Sequence, residues 1–133
     1  MNYEESKQIK EVIDTSNNII INCHRGVDLD SIASALAFKK LLNSMGKKVD
    51  IYCPEKIADS LRFLPGSEEI EQGDFSKIDY SQYDSFFMLD SESWDRVGLS
   101  SYPGPANVIN IDHHPQNKVK GSVNLIDNSA FAC

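Results

Sequence analysis

Cysteine and positive charge are both scarce in this sequence. The three cysteines, Cys23, Cys53 and Cys133, are widely spaced and form no CxxC pair, which is typical of reduced, partly buried thiols in a cytoplasmic protein. The chain has 13 Lys and Arg against 20 Asp and Glu, a net charge of −7. This charge argues against sequence-independent binding to long nucleic acid, which needs a basic surface. A small phosphate ester is not excluded, because bound metal ions could supply local positive charge.

The sequence also lacks long apolar runs and a secretory leader. No hydrophobic segment approaches the roughly 20 residues of a membrane-spanning helix, and the opening MNYEESKQIK is polar and partly acidic. We therefore expect a cytoplasmic protein with no membrane partner. With 133 residues, of which 41% are hydrophobic and 25% charged, the chain is long enough for one domain with a modest core.

The sequence does contain an alternation of helix-like and strand-like segments. Apolar residues at helical spacing, such as Ile9, Val12 and Ile13, predict a helix, and β-branched runs such as IIINC predict buried strands. We predict helices at 4–16, 30–46 and 55–64, and strands at 17–23, 47–53, about 69–71, 83–90, 106–112 and 121–127. This order predicts an α/β fold, in which a mostly parallel sheet carries helices on both faces in a Rossmann-like three-layer arrangement.

The predicted helix 30–46 has recognisable ends. Asp30 or Ser31 can cap its first turn, and Gly46 can end it. Its apolar face is predicted to carry Ile32, Ala35, Leu36, Leu42 and Met45.

Polar residues of one chemical kind follow three of the predicted strands. NIIINC is followed by His24, Asp28 and Asp30, SFFML by Asp90, and NVINI by Asp112, His113 and His114. Because ligand sites in parallel sheets lie outside the carboxyl ends of the strands, we expect these side chains to converge. Cys23 is left out of the set because it points to the opposite side of its strand.

The convergence of four aspartates and every histidine in the chain needs cations, because neighbouring carboxylates repel one another and lose hydration. Imidazole and carboxylate ligands without thiolate favour Mn²⁺ first, with Mg²⁺, Co²⁺, Fe²⁺ or Zn²⁺ as alternatives. Two such ions about 3.5–4 Å apart would clamp a phosphoryl group and activate water for in-line attack. Asp90, alone at its strand end, is the natural carboxylate to bridge them.

These motifs resemble, in order and approximate spacing, the first three motifs of the DHH phosphoesterase superfamily. The carriers of the resemblance are HRGVDLD, the strand end at Asp90 and the DHH triplet, with LDSESWDRVG and VNLIDNSAFAC as similar flanking segments. The similarity is greatest to the branch of oligoribonucleases and phosphoadenosine-phosphate phosphatases, often called nanoRNases. The sequence departs from the usual family pattern at Val27 and Ala33, where proline and glycine are common.

The resemblance implies a role for each matched residue. The implied metal ligands are His24, Asp28, Asp30, Asp90 and His113, with Asp90 shared between two ions. His114 matches the histidine that lies near the phosphate, and Asp112 matches a residue that supports the site. Residues 1–133 would form the N-terminal part of a DHH phosphoesterase, before a substrate-gripping DHHA1 domain that this sequence does not include. Asp127 lies too close to the DHH triplet to match the family's later aspartate, so we interpret it as a strand-end or turn residue.

The expected function is divalent-metal-dependent hydrolysis of short oligonucleotides or small nucleotide phosphates. One alternative is a non-catalytic metal- or nucleotide-binding module that retains the first motifs. A second alternative is a structural α/β domain with a solvated acidic edge. An exposed sheet edge could also promote self-association, so a homodimer is a further expectation to test.

Overall fold

A computed structural model describes residues 3–104 and 107–133. Its helices and strands are, in chain order, α1 (Glu5–Thr15), β1 (Asn18–Asn22), α2 (Leu29–Ser44), β2 (Lys48–Cys53), β3 (Ile70–Gln72), β4 (Ser85–Leu89), β5 (Asn107–Asp112) and β6 (Val123–Ile126). All six strands were predicted from the sequence within a few residues. Residues 105 and 106, assigned above to a loop and to the start of a strand, lie outside the described residues.

The six strands form one parallel sheet with the order β3-β2-β1-β4-β5-β6. The predicted α/β class with a parallel sheet is therefore confirmed. Along the chain, β2 and β3 are added on one side of β1, and β4, β5 and β6 are then added in order on its other side. The direction of building reverses between β1 and β4, and in open parallel sheets ligands bind at the carboxyl edge of such a reversal.

Both α-helices pack on the same face of the sheet. Ile9 and Ile13 of α1 and Ile32 of α2 are buried against Ile19 and Ile21 of β1. Because alternate residues of a strand face opposite sides, the intervening Ile20 belongs to the core on the other face. Burial on both faces explains why the central strands are continuous apolar runs rather than alternating ones.

Short 3-10 segments and loops cover the second face instead of long α-helices. Phe75, Tyr80 and Val97 come from three such segments and pack with Phe86 of β4. Two of these segments begin at Asp74 and Asp79, whose carboxylates accept hydrogen bonds from backbone N–H groups two residues later. Such local bonds compete with longer helices, so the covering layer is made of single turns.

The helix predicted at 55–64 is wrong, because only Asp59–Leu61 forms a 3-10 turn in that range. The carboxylate of Glu55 accepts a hydrogen bond from Val27 N at 3.0 Å, and Ile57 is buried in the α-helical face of the core. These contacts hold the first residues of the segment extended, and Ala58 has β-region backbone angles. Tertiary contacts therefore override the helical propensity of the segment.

Two details predicted for the helix at 30–46 are wrong, namely its N-cap residue and the position of Met45. The N-cap is Asp28, whose Oδ1 accepts from Ser31 N at 3.0 Å, and not Asp30 or Ser31. Gly46 ends the helix as predicted, with φ of +80° and its N–H donating to Asn43 O. Met45 was predicted to lie on the apolar face but is 42% exposed, because it follows the last helical turn.

The three cysteines form no disulfide bond. Cys23 and Cys53 are buried free thiols, and Cys133 is an exposed free thiol. Within residues 3–104 and 107–133, no helix has the length and apolar character needed to cross a bilayer.

Candidate metal centre

The loop from β1 to α2 brings three of the predicted ligands to the carboxyl edge of the sheet. His24 follows β1 and is almost fully buried, with its backbone N donating to Ser31 Oγ at 3.3 Å. Asp28 caps α2, and Asp30 lies in the first turn of that helix. The helix start thus presents both carboxylates on the side of the sheet edge where β1 ends.

Asp90 immediately follows β4 and lies at the centre of the cluster. It is 2% exposed and has φ of +51°, the only positive φ of a non-glycine residue in the described part of the chain. Aspartate tolerates this left-handed conformation better than most residues, but the conformation still carries strain, which is typical of functional sites. Within the described residues Asp90 Oδ1 has no hydrogen-bond partner.

The two carboxylate oxygens of Asp90 face imidazoles from different strands. Oδ2 lies 3.4 Å from His24 Nε2, and Oδ1 lies 3.2 Å from His113 Nε2. His24 Nε2 is also 3.8 Å from Asp28 Oδ1, and His113 Nε2 is 3.5 Å from Asp30 Oδ2. The five predicted ligands therefore form two groups, one around each imidazole nitrogen, and Asp90 belongs to both.

The other nitrogen of each imidazole faces a backbone carbonyl. His24 Nδ1 lies 2.8 Å from Arg25 O, and His113 Nδ1 lies 3.2 Å from Ala130 O. Because a carbonyl only accepts, the tautomer that satisfies Arg25 O and Ala130 O carries its hydrogen on Nδ1, and in that neutral imidazole Nε2 presents its lone pair to the carboxylates. This arrangement is the one in which histidine binds a metal through Nε2.

The separations between the facing atoms suit shared ions. A charge-assisted N–H···O bond is typically about 2.7–2.9 Å long, and the four Nε2–carboxylate distances are all longer, from 3.2 to 3.8 Å. Two ligands each about 2.1 Å from one ion lie roughly 3.0–3.4 Å apart at octahedral or tetrahedral angles. The two distances from Asp90, 3.2 and 3.4 Å, lie within this range, and those from Asp30 and Asp28, 3.5 and 3.8 Å, lie just above it. The donor set of imidazole and carboxylate groups therefore fits divalent cations centred on Asp90.

Arg96 is a charged neighbour of this cluster. Its Nη2 lies 3.1 Å from His24 Nδ1, and its Nε lies 3.5 Å from Glu92. Burial, the largest effect, lowers the pKa of His24, and the nearby guanidinium lowers it too, but the hydrogen bonds with Asp90 and Arg25 O outweigh both and raise it. Its contact with His24 spans 72 positions, so no local sequence pattern indicates it.

Asp112 and His114 form a second layer beside Asp90. Asp112 Oδ1 is 2.7 Å from His114 Nδ1, and Asp112 Oδ2 accepts from Asn117 Nδ2 at 2.6 Å. Burial lowers the pKa of His114, but the hydrogen bond and charge of Asp112 outweigh it and raise the pKa. Although Asp112 lies close enough to Asp90 and His113 to be counted as a ligand, both its oxygens are already engaged. Its geometry is that of a residue that orients His114.

Asn22 and Asn117 are two supporting residues that the sequence reasoning missed. Asn22 is fully buried and bonds to the backbone of Leu89 and to Ser91 Oγ. Asn117 donates to Ser91 O as well as to Asp112. An asparagine within the otherwise apolar NIIINC run was the one available signal for Asn22.

Three other residues near the motifs, Asp127, Trp94 and Tyr102, make hydrogen bonds or packing contacts outside the candidate metal centre. Asp127 follows β6 and accepts hydrogen bonds from Ser129 N and Ser129 Oγ, as expected of a strand-end turn residue. Trp94 and Tyr102 stack on each other with ring centroids 5.5 Å apart and pack against Phe86.

The chain belongs to the DHH family. The model of the DHH family N-terminal domain matches residues 18–133, a range that includes all seven site residues.

Two relatives give the match its context. The chain is 24% identical over 125 residues to the bifunctional oligoribonuclease and PAP phosphatase NrnA of Bacillus subtilis, covering 92% of this chain and 37% of that protein. Its fold matches the crystal structure of an exopolyphosphatase-related protein from Bacteroides fragilis with a TM-score of 0.84 and 21% identity, covering 96% of this chain and 40% of the other. The chain therefore spans well under half the length of these relatives.

Proposed function

We propose that this chain carries the metal-binding part of a divalent-metal-dependent phosphoesterase that hydrolyses short oligonucleotides or nucleotide phosphates. The observation that carries the proposal is the buried carboxylate of Asp90, each of whose oxygens faces an Nε2 atom from a different strand end. Membership of the DHH family and the similarity to an oligoribonuclease and PAP phosphatase support it.

Two cation positions are proposed. His24 and Asp28 would hold one ion and His113 and Asp30 the other, with Asp90 bridging them. Imidazole and carboxylate ligands in this proportion favour Mn²⁺, and Mg²⁺, Co²⁺ and Zn²⁺ are the alternatives. When bound, such ions would supply positive charge for phosphoryl oxygens and lower the pKa of water.

The surrounding residues would position the reacting phosphate. With Nδ1–H of His114 donated to Asp112, the imidazolium that this carboxylate favours would donate its Nε2–H to a phosphate oxygen. Asn117 holds the far oxygen of Asp112, so the ring orientation is fixed through two successive hydrogen bonds. The loss of such supporting contacts typically reduces metal affinity or activity by about ten- to hundred-fold.

The proposed substrate is short because the chain offers little positive charge. A net charge of −7 disfavours a long nucleic-acid track. In this proposal the DHH part, residues 1–133, is followed by a substrate-gripping DHHA1 domain, the whole acts in the cytoplasm, and a homodimer is its oligomeric form to test.

The first test is a Mn²⁺ titration of this chain, followed by melting temperature and by direct metal analysis. A ligand that binds only the folded state raises stability, by about 2.7 kcal/mol at a hundred times its dissociation constant. We expect a rise for the wild-type chain and none for Asp90→Asn, which folds because asparagine tolerates the left-handed backbone. Asp59→Asn removes one exposed carboxylate elsewhere and should respond like the wild type.

The second test measures hydrolysis of a short oligonucleotide and of a nucleoside 3′-phosphate by the full-length protein. Asp90→Asn and His113→Ala should each abolish most Mn²⁺-dependent turnover. Mn²⁺ binding without turnover in the full-length wild type would instead indicate the non-catalytic module, and no binding at all would indicate a purely structural domain.

A further inference from the structure

A cleft of about 710 Å³ lies beside the candidate metal centre along the same edge of the sheet. Its walls come from residues that follow strand ends: Arg25 after β1, Pro54 after β2 and Gln72 at the end of β3, with Gly98 after the turn that follows β4. Its volume is within the range of sites that hold small molecules and cofactors. The metal centre occupies the ends of β1, β4 and β5, so the two features adjoin at β1.

Arg25 is the cation at the boundary between the cleft and the metal centre. It directly follows His24, and its backbone N donates to Arg96 O at 2.7 Å, which fixes the chain there. Its side chain is 55% exposed, and its contact with Asp95 is long, at 3.9 Å. Such an exposed, loose ion pair contributes little, so the guanidinium keeps donors for a ligand.

Gly98 provides the surface on which this guanidinium lies. A Cβ atom at Gly98 would come within 2.9 Å of Arg25 Nη2, so any larger residue would displace the side chain. The absence of a side chain at this position therefore allows Arg25 to lie along the wall of the cleft.

The exposed lining of the cleft is mainly polar, because Phe75 and Val97 are each only 1% exposed. Phe75 and Val97 belong to the core on this face of the sheet. Asp74, which follows β3, also lines the cleft. The Asp74 carboxylate bonds to Ser76 Oγ and Ser76 N and lies 3.8 Å from Lys77 Nζ, so its charge is locally satisfied.

We propose that this cleft is a subsite for the part of the substrate beyond the reacting phosphate, and that Arg25 binds a second, non-reacting phosphate there. An arginine fork matches phosphate oxygens in a bidentate manner, and the volume of the cleft is large enough for the nucleoside between the two phosphates. The inference rests on the proposed function, because the metal centre must hold the first phosphate. Arg25 would then determine specificity without touching the reacting bond.

The test compares ligands with one and two phosphates on the same nucleoside. Titration calorimetry with Mn²⁺ present would measure the binding of adenosine 3′,5′-bisphosphate and of the two adenosine monophosphates, with released phosphate monitored so that only intact ligand is counted. The proteins are the wild-type chain, Arg25→Gln, Arg25→Lys and the control Lys48→Gln. Lys48 is exposed at the start of β2, the opposite edge of the sheet.

We expect Arg25→Gln to weaken bisphosphate binding about tenfold or more, the usual effect of losing a charge-assisted bond, and to change monophosphate binding less than about twofold. Arg25→Lys should restore part of the loss, because it keeps the charge without the fork. Lys48→Gln should match the wild type. Mn²⁺ affinity should be equal in all four proteins.

Two results would overturn the inference. One rejects the subsite alone, and the other also rejects the proposed function. If Mn²⁺ binds but the preference for the bisphosphate is absent in the wild type, or is equal in Arg25→Gln and Lys48→Gln, only the subsite is rejected. If the wild-type chain binds no Mn²⁺, the proposed function is rejected together with the subsite.

Discussion

The side chain of Asn22 satisfies both backbone groups of Leu89. Asn22 Oδ1 accepts from Leu89 N at 2.7 Å, and Asn22 Nδ2 donates to Leu89 O at 3.2 Å. The two residues lie near the ends of β1 and β4, where the order of the sheet reverses. This pair of buried bonds joins the two strands that bring His24 and Asp90 together at the metal centre.

We predict that Asn22→Ala lowers both stability and Mn²⁺ affinity. The substitution leaves two buried backbone groups of Leu89 without these partners, and one such loss costs roughly 1–3 kcal/mol. Chemical denaturation should therefore show a decrease of about 2–3 kcal/mol in the free energy of unfolding. Asn128→Ala, at an exposed turn, should stay within about 0.5 kcal/mol. An unchanged Mn²⁺ affinity in Asn22→Ala would contradict its role in aligning the two strand ends.

Asp90→Gly should stabilise the metal-free chain and abolish its response to Mn²⁺. Glycine adopts the φ of +51° without strain, and the change removes a buried carboxylate whose Oδ1 has no hydrogen-bond partner among the described residues. We expect a gain of about 1 kcal/mol without metal, the usual size of such strain. Melting curves with and without Mn²⁺ measure both effects. A metal-free variant less stable than the wild type would show that Asp90 has a structural role instead.

The sheet and the convergence of the ligands could be predicted because both depend on local patterns. The apolar runs ending at Asn22, Leu89 and Asp112 identify buried strands, and parallel strands deliver the residues after them to one edge. The five predicted ligands lie together for this reason. Their positions required no knowledge of the loops that cover the sheet.

The features that sequence reasoning missed depend on contacts between distant segments. Glu55 is held by the backbone of Val27, which prevents the helix that its own segment favours. Asn117 holds Asp112, and Arg96 reaches His24 only because the turn after β4 folds over the end of β1. The left-handed backbone of Asp90 is likewise imposed by its surroundings, since its N donates to Ile111 O.

Asp112→Asn should reduce turnover by the full-length protein more than it reduces Mn²⁺ binding. The change alters the acceptor for His114 Nδ1 while leaving the five proposed ligands intact. We expect activity to fall about ten- to hundred-fold, as for other residues that orient a functional histidine, and Mn²⁺ affinity to change less than about threefold. Calorimetry and initial rates on the same preparations separate the two effects. An equal loss of both would identify Asp112 as a ligand.

Asp127 should make the stability of the chain depend on acid pH. Its hydrogen bonds with Ser129 and with Tyr3 Oη lower its pKa to about 2, below about 3.9 in an unfolded chain. A lowered folded-state pKa stabilises the protein above the unfolded value, and this contribution disappears as the pH falls towards 2. The stability difference between the wild type and Asp127→Asn should therefore be largest above pH 4 or so and shrink towards pH 2. Urea denaturation in metal-free buffer at several pH values measures it, and a pH-independent difference would contradict the assignment.

Two glycines allow backbone strain to be separated from the alignment of the metal centre. Gly26 and Gly46 both have positive φ, +65° and +80°, and a Cβ atom at either would meet nothing within 4 Å. Alanine at either position should therefore cost a similar amount, about 1–2 kcal/mol, from the backbone alone. Gly26 lies between His24 and Asp28, whereas Gly46 ends α2 away from the sheet edge that holds the site. We expect only Gly26→Ala to weaken Mn²⁺ binding, by about tenfold, in a titration of both variants at matched stability. Equal affinities in the two variants would show that the loop tolerates the strain without moving the ligands.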